Sequence, residues 1–149
     1  MELSETIKGR RSVRKFKPDA VNRNVIESVL ELATWAPSAM NRQDWQFVVV
    51  QGPLKEEFLK ISASAFDQFK PMLEKTFKDK PKIIEGMKSF FETCGGAPII
   101  ILAYAGKLPN GQDDVWSILW LCRISCWRPM RQGWEPYGPM ALFWPKKKK

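Results

Sequence analysis

Three arginines and a serine hydroxyl lie within the short segment GRRSVR, residues 9–14. Arginine binds phosphate bidentately through donors of fixed geometry, so Arg10, Arg11, Ser12 and Arg14 could hold one anionic group between them. A solvated basic turn would have the same composition. Because the sequence contains neither a Walker lysine motif nor GxGxxG, the sharper hypothesis is a mononucleotide phosphate bound by side chains.

A second group of polar side chains lies in the segment APSAMNRQDWQF, residues 36–47. Ser38, Asn41 and Gln43 offer donors and acceptors beside Trp45, a combination that could line a planar heterocycle. An ordinary connection between a helix and a strand would explain the same residues. Neither this segment nor the arginine segment is specific when it is considered alone.

Composition removes several other kinds of chemistry. The chain has no His, and Cys94, Cys122 and Cys126 form no even framework, so a Cys/His zinc site is excluded and histidine-based acid–base catalysis is disfavoured. The N-terminus lacks an apolar signal region, and no window approaches the ~18 uninterrupted apolar residues of a membrane span. These features predict a cytoplasmic protein without a metal site.

The length of 149 residues fits one domain, and the net charge is +8. That charge is unevenly distributed. Residues 120–149 contain seven basic residues and one acidic residue, whereas residues 1–119 contain 17 basic and 15 acidic residues. Five of the seven tryptophans also lie beyond residue 115. The composition therefore changes close to residue 119, although the chain is too short for two ordinary domains.

The arginine segment is expected to lie between a short helix and a strand. Ser4 can cap a helix that runs through Lys8 with Ile7 on its buried side. Gly9 breaks this helix, and the alternation over residues 12–16 is typical of a β-strand. This arrangement would place the three arginines around one turn.

The polar segment at residues 36–47 is expected to join the strongest helix of the sequence to a strand. The helix is predicted by the spacing of Ile26, Val29, Leu30 and Ala33. It ends because Pro37 pushes Ala36 out of the α region. The apolar run in WQFVVVQG predicts a short buried strand, and a second helix should follow over about residues 54–66.

The later half of the pattern predicts a central strand. Residues 69–91 favour a helical excursion, and GGAPIIILAYAG, which is apolar on both faces, predicts a strand in the middle of a sheet. A turn is expected at Asn110–Gly111, followed by a helix that begins near Asp113, whose carboxylate suits a helix N-terminus. The helical pattern is lost after Trp120.

Taken in order, RRSVRKF and, later in the chain, APSAMNRQDWQFVVV resemble the amino-terminal half of the nitroreductase family, the FMN-dependent NAD(P)H oxidoreductases. The resemblance runs from about Ile7 to Leu119. It implies an α+β, nitroreductase-like fold, with a central sheet flanked by helices and incomplete at the C-terminus. It also implies a homodimer with FMN in the interface, in which NAD(P)H reduces flavin N5 and electrons pass to a nitroaromatic, quinone or similar small-molecule acceptor.

The resemblance also implies individual cofactor contacts. Residues expected to hold the FMN phosphate and ribityl end are Arg10, Ser12 and Arg14, with Arg11 nearby. Residues expected to approach the flavin from the partner subunit are Pro37, Ser38, Ala39 and Asn41, with Gln43 as a supporting contact. No side chain is expected to be catalytic, because the flavin carries the chemistry. Asp44 departs from the family pattern, which usually has Pro in QPW.

The segment CRISCWRPMRQGWEPYG, residues 122–138, sustains neither helical nor strand spacing. The family has a Leu/Ala-rich dimer helix and a glycine turn at this point. From Trp120 onward, new triplets can be formed from the third base of each codon and the first two bases of the next codon. With synonymous codons that the genetic code permits, these triplets can encode AVQNLLLAAHAPGLGTVWANGPLLAEEEE. The string restores the helix and the turn. A divergent short variant of the family is the simpler explanation of the segment. The restored pattern favours a frameshift, with residues 1–119 as the nitroreductase-like domain and 120–149 as an out-of-frame tail.

Three functions stay open from the sequence. The first is the NAD(P)H-dependent flavin oxidoreductase, and the second is an inactive, truncated fragment of such an enzyme. The third is a binding protein whose Trp- and Lys-rich tail meets nucleic acid or anionic lipid. The predicted frameshift makes the terminal lysines out-of-frame codons, which argues against a nucleic-acid or membrane partner. The choice between NADH and NADPH, and the acceptor, depends on family residues beyond position 119.

Overall fold

The computed structural model describes residues 2–125 and 140–143. Their helices are α1 (Leu3–Gly9), α2 (Arg23–Ala33), α3 (Pro53–Thr76), α4 (Pro81–Thr93) and α5 (Val115–Ser125), with short 3-10 turns at Ala39–Asn41 and Cys94–Gly96. Their strands are β1 (Gln46–Val50), β2 (Ile99–Tyr104) and β3 (Met140–Phe143). The mixture of helices with one small sheet confirms the predicted α+β class.

Strand β2 lies between the other two described strands. It pairs antiparallel with β1, so that Gln46 faces Tyr104 and Val50 faces Ile100, and parallel with β3. Residues 99–103 of β2 are all buried. The prediction of a central strand from GGAPIIILAYAG is therefore confirmed for the described sheet, since only a strand covered on both faces is apolar at every position.

Helices cover both faces of this sheet. On one face, Ala103 joins a buried cluster with Ala33 of α2 and with Ile118 and Leu121 of α5. On the other face, Ile100 and Leu102 pack with Cys94 and Val50, and Phe58 and Leu59 of α3 lie against that cluster. Alternate side chains of β2 thus supply two separate cores, because successive residues of a strand point to opposite faces.

The strand predicted over residues 12–16 is wrong, since no β-strand forms there. Strand β1 is also less buried than predicted, because its side chains alternate between exposed and covered and Val48 is 47% exposed. The helix predicted near Asp113 begins at Val115, and the adjacent Asp114 provides its N-terminal carboxylate contact. The turn at Asn110–Gly111 is confirmed by Gly111, whose φ is +79°.

The short first helix is present, but its details differ from the prediction. Its N-cap is Glu2 rather than Ser4, and the Glu5 carboxylate accepts a hydrogen bond from the Glu2 amide at 3.1 Å. Among the described side chains of this helix, Thr6 is the buried one, with 2% exposure, whereas Ile7 is 39% exposed. Apolar character alone therefore predicts the wrong residue for the buried side of this helix.

Helix α3 runs ten residues past the predicted end at Phe66, and it does so through Pro71. An interior proline removes one backbone hydrogen bond and normally kinks or ends a helix. Here aromatic packing holds the helix on the N-terminal side of the proline, because Phe66 and Phe69 both contact Phe91 of α4 with ring centroids 5.8 and 5.7 Å apart. The helix predicted within residues 69–91 appears as the separate helix α4.

Helix α5 continues across the predicted boundary at residue 119, and Leu121 is fully buried. Strand β3 also lies beyond that boundary. The division into residues 1–119 and 120–149 stays a prediction, since most of CRISCWRPMRQGWEPYG lies outside the described residues. Within the described ranges, no helix is both long and apolar enough to cross a membrane.

The burial pattern of α5 predicts unequal effects for two neighbouring substitutions. Ile118 is 1% exposed in the core beneath β2, whereas Leu119 is 52% exposed. We expect Ile118→Ala to lower the free energy of unfolding by about 2–5 kcal/mol because it leaves a cavity. Leu119→Ala should change it by roughly 0.5 kcal/mol or less, as is usual for surface positions. Urea denaturation followed by circular dichroism measures both; equal losses would contradict this packing.

Candidate functional site

The arginine segment lies against the 3-10 turn that precedes β2. The Phe16 amide donates a hydrogen bond to the Gly95 carbonyl oxygen at 2.8 Å. Gly95 has a φ of +67°, and a Cβ atom built on it would lie 2.4 Å from the Arg14 carbonyl oxygen. A glycine is therefore required at position 95 for the backbone of Arg14 to approach so closely. This contact, and not a strand ladder, positions the segment.

Arg11 and Arg14 are exposed and Arg10 is half-buried, and the side chains of Arg11 and Arg14 make local contacts with neutral groups. Nη1 of Arg11 donates to the carbonyl oxygens of Lys8 at 2.7 Å and of Arg10 at 3.0 Å, and Nη1 of Arg14 lies 3.4 Å from the Ser12 carbonyl oxygen. Residues 8–17 contain six basic residues and no acidic residue. Since carbonyl acceptors do not neutralise a guanidinium, the segment keeps a positive field that attracts anions.

The predicted flavin residues of the second segment form one compact turn. The Ser38 hydroxyl oxygen accepts from the Gln43 amide at 3.0 Å, and the Ser38 carbonyl accepts from the Asn41 amide at 3.0 Å. The Ala39 amide donates to the hydroxyl of Ser117 on α5, also at 3.0 Å. Pro37 is exposed beside this turn. Ser38, Ala39, Asn41 and Gln43 are thus brought together, as the sequence predicted for one loop.

The same turn holds three residues in an unfavourable backbone conformation. Met40, Asn41 and Gln43 have φ values of 54°, 52° and 48°. Non-glycine residues in the left-handed region cost about 1–3 kcal/mol each and persist only where surrounding contacts impose them. Such residues concentrate at ligand-binding sites. The strain therefore supports a role for this turn beyond that of a connection between α2 and β1.

Asp44, the residue that departs from the family pattern, anchors the end of the turn. Its Oδ2 forms an ion pair with Nη2 of Arg42 and accepts from the Gly106 amide at 3.1 Å. Gly106 leaves room for this pair, because a Cβ atom there would lie 2.2 Å from Asp44 Oδ2. The Asp44 carboxylate thus ties the end of the turn to the backbone of Gly106, two residues after β2.

Two residues at the N-terminus of α5 that sequence reasoning did not select support the turn: Asp114, just before the helix, and Ser117, within it. Asp114 and Ser117 are 2% and 3% exposed. The Asp114 carboxylate accepts from the Ser117 amide at 3.1 Å and from the Ser117 hydroxyl at 2.7 Å. The spacing of Asp and Ser in DVWS is that of a helix cap and its third residue, so the sequence carried a local signal for this pair but none for its contact with Ala39.

The buried Cys94 is a poor nucleophile. Burial raises the pKa of its thiol to about 11, with smaller opposing effects from the Lys55 charge and a hydrogen bond involving Ser62. The thiol is therefore uncharged at neutral pH, and the thiolate is the reactive form of cysteine. In the part of the chain that the structure describes, no three His, Cys, Asp or Glu residues are grouped as metal ligands.

Comparison with known proteins relates the chain to one family. Residues 7–121 match the model of the Nitroreductase family. The chain is 42% identical over 59 residues to nitroreductase NfnB of Mycolicibacterium smegmatis, which covers 40% of the chain and 25% of that protein. It is 32% identical over 121 residues to human iodotyrosine deiodinase 1, covering 76% of the chain and 41% of that protein. The matched region is thus less than half of either relative.

Solved structures show the same fold. The FMN-dependent nitroreductase NfnB from Mycobacterium smegmatis, solved with NADPH, superposes with a TM-score of 0.66 at 21% identity and covers 87% of this chain and 70% of that one. A nitroreductase with bound FMN from Desulfitobacterium hafniense gives 0.62 at 22% identity, with 89% and 68% covered. The predicted nitroreductase-like fold is therefore confirmed.

The contact at Gly95 predicts opposite effects for two glycine substitutions. Gly95→Ala would force a methyl group into the Arg14 backbone at a positive φ, so we expect a loss of at least about 1 kcal/mol of unfolding free energy. Gly86 lies within α4 with nothing near its missing side chain, and Gly86→Ala should stabilise the protein by about 0.5–1 kcal/mol. Urea unfolding of both variants is the measurement; a harmless Gly95→Ala would contradict the proposed close contact.

Proposed function

Because the chain belongs to the nitroreductase family, we propose that it is an FMN-dependent oxidoreductase that passes electrons from NAD(P)H to a small-molecule acceptor. The observation that carries the proposal is the presence, in one chain, of an acid-free basic segment at residues 8–17 and a strained polar turn at residues 38–43. The basic segment suits the phosphate of a mononucleotide. The polar turn suits the edge of a planar ring.

The phosphate end of FMN would be bound by Arg10, Ser12 and Arg14, with Arg11 adding charge. Guanidinium donors and a hydroxyl fit a phosphate dianion, because each can donate to its oxygens and the charges are complementary. These side chains are exposed or half-exposed, and the recorded contacts of Arg11 and Arg14 are local carbonyls. A phosphate can replace such contacts without breaking a buried ion pair, so the residues present fit the group.

The flavin end would meet the turn that contains Ser38, Ala39 and Asn41, together with Pro37 and Gln43. The arginine segment is held by the 3-10 turn that precedes β2, and the polar turn is held by Ser117 in the first turn of α5. A homodimer would let the turn of one subunit complete the site formed by the arginines of the other. Exposed Trp116 and Leu119 on α5 and Trp35 after α2 supply apolar surface near the turn that such a dimer could cover.

FMN, when bound, would supply the redox chemistry of the reaction. The chain would bind and orient the cofactor, and none of its side chains is assigned a proton-transfer step. We propose a nitroaromatic, quinone or similar compound as the acceptor. The proposed class of acceptor is broad because one relative is named a nitroreductase and another an iodotyrosine deiodinase.

The phosphate assignment is tested by comparing FMN with riboflavin, which lacks the phosphate. Arg14→Gln should weaken FMN binding by about tenfold or more, because a charge-assisted contact contributes about 1.5–3 kcal/mol, and should leave riboflavin binding unchanged. Arg23→Gln is the matched control, since Arg23 is an exposed arginine paired with Glu27 on α2. Flavin fluorescence titration gives both dissociation constants.

Two results would contradict the assignment. Equal loss of FMN affinity in Arg14→Gln and Arg23→Gln would mean that only overall charge matters. An equal loss of FMN and riboflavin affinity in Arg14→Gln would mean that Arg14 does not contact the phosphate. NADH and NADPH oxidation with p-nitrobenzoate or a benzoquinone as acceptor then tests the activity, and a flavin-loaded chain that reduces neither acceptor would rule out the proposed reaction class.

A second candidate function is an inactive fragment of such an enzyme, produced by a shifted reading frame after about residue 119. The observation that favours it is that codons permitted for the residues from Trp120 onward can spell a family-like string in the shifted frame. That string places Ala at position 120 and Val at 121, which suits the burial of Leu121 and would remove the half-exposed Trp120. The helix would therefore keep its buried apolar position in either frame.

The coding DNA around codon 119 decides between these candidates. We expect the third-base frame to encode AVQNLLLAA, and a chain translated in that frame to unfold more cooperatively and to retain more FMN than the 149-residue chain, since a continuous Leu/Ala helix would replace a segment with two prolines. Stop codons or polar runs in that frame would exclude the frameshift. Stoichiometric FMN and a sharp unfolding transition in the 149-residue chain would argue against an inactive fragment.

A further inference from the structure

A buried hydrogen-bonded chain connects the start of α5 to the turn at residues 38–43. It runs from the Asp114 carboxylate through the Ser117 hydroxyl to the Ala39 amide, with distances of 2.7 Å and 3.0 Å. Ala39 and Ser117 are 78 positions apart in sequence. All atoms of these hydrogen bonds belong to residues 1–119, so the hydrogen bonds do not involve any residue of the tail whose reading frame is in question.

The direction of the hydrogen bonds is fixed by the chemistry of the groups. A serine hydroxyl has one proton to donate and lone pairs to accept with. Because the Asp114 carboxylate can only accept, the Ser117 proton points at Asp114, and the Ser117 lone pairs are left facing the Ala39 amide. The carboxylate thereby determines that Ser117 is an acceptor for the turn.

Burial of these two polar residues requires a compensating role. Both are almost completely buried, and a buried polar group that loses its partner costs about 1–3 kcal/mol. Capping of α5 uses the Ser117 amide and one carboxylate oxygen, and an exposed aspartate could provide it. The second carboxylate oxygen and the Ser117 hydroxyl are used to reach Ala39, at the start of the turn whose next residues, Met40 and Asn41, have positive φ values.

We propose that Asp114 and Ser117 are positioning residues that set the conformation of the turn at residues 38–43 for flavin binding. The proposal rests on the proposed function, in which this turn meets the flavin. By fixing the Ala39 amide, the pair holds Met40 and Asn41 in the left-handed conformation before the cofactor arrives. The conformational entropy of the turn is then lost when the protein folds, so ordering of the turn does not weaken FMN binding.

The test uses the full 149-residue chain and two independent measurements. Hydrogen exchange of the Ala39 amide, followed by NMR in the absence of flavin, reports whether the contact with Ser117 holds the turn. FMN affinity reports whether that geometry matters for the cofactor. Ser117→Ala should accelerate Ala39 exchange at least tenfold and weaken FMN binding by about tenfold. Ser117→Thr, which keeps the hydroxyl, should restore both values towards those of the unchanged chain.

Two further variants separate positioning from general stability. Asp114→Asn keeps the size of the side chain but lets an amide donor face Ser117. It should therefore accelerate Ala39 exchange and weaken FMN binding, with both effects smaller than in Ser117→Ala. Ser62→Ala removes another buried serine, on α3 beside Cys94. It should destabilise the protein without changing Ala39 exchange below the unfolding transition.

The outcomes distinguish this proposal from the proposed function. Unchanged Ala39 exchange in both Ser117→Ala and Asp114→Asn would overturn the positioning role, whatever the chain binds. Faster exchange with unaltered FMN affinity would also overturn it, because the turn would then be irrelevant to the cofactor. If the unchanged chain binds no FMN, the proposed function fails and so does the flavin role of the pair, while the exchange data still report its contact with Ala39.

Discussion

Strand β2 is apolar on both faces, and the arrangement of the other described elements follows from the need to cover it. A strand of this kind is stable only when a layer of side chains packs on each side. Helices α2 and α5 cover one face through Ala33, Ile118 and Leu121, and α3 lies against the other through Phe58 and Leu59. Strand β1 pairs along one edge of β2, and this pairing places the polar turn at residues 38–43, which precedes β1, beside the sheet.

Both candidate groups are positioned by residues at the ends of this strand. Gly95, shortly before β2, receives the backbone of Arg14, and Gly106, shortly after β2, receives the Asp44 carboxylate that ends the polar turn. The chain then turns into α5, whose Ser117 contacts Ala39. Exposed and strained residues of the site are thus attached to the most buried strand, which is the usual division between a rigid scaffold and functional loops.

Hydrophobic periodicity predicts the elements whose buried faces can be recognised from the spacing of apolar residues within the element itself. The four apolar positions of α2 lie three and four residues apart, and every position of β2 from 99 to 103 is apolar, so both elements were identified correctly. The end of α3 is not predicted in this way, because Pro71 gives a local stop signal, yet the helix continues past it to Thr76 and buries Leu73. Residues 12–16 alternate like a strand, but their backbone meets a 3-10 turn and finds no ladder partner.

The sequence by itself determined the α+β composition, the central strand, the basic character of residues 8–17 and the motifs that identify the family, because each depends on residue types at short spacing. Only the tertiary structure decided that Thr6 and not Ile7 is buried. It also decided that the Asp44 carboxylate contacts both Arg42 and the Gly106 amide, and that Asp114 and Ser117 support Ala39. The contacts of Asp44 with Gly106 and of Ser117 with Ala39 join residues 62 and 78 positions apart in the chain, and the free energy that selects them comes from packing and hydrogen bonds that no local pattern encodes.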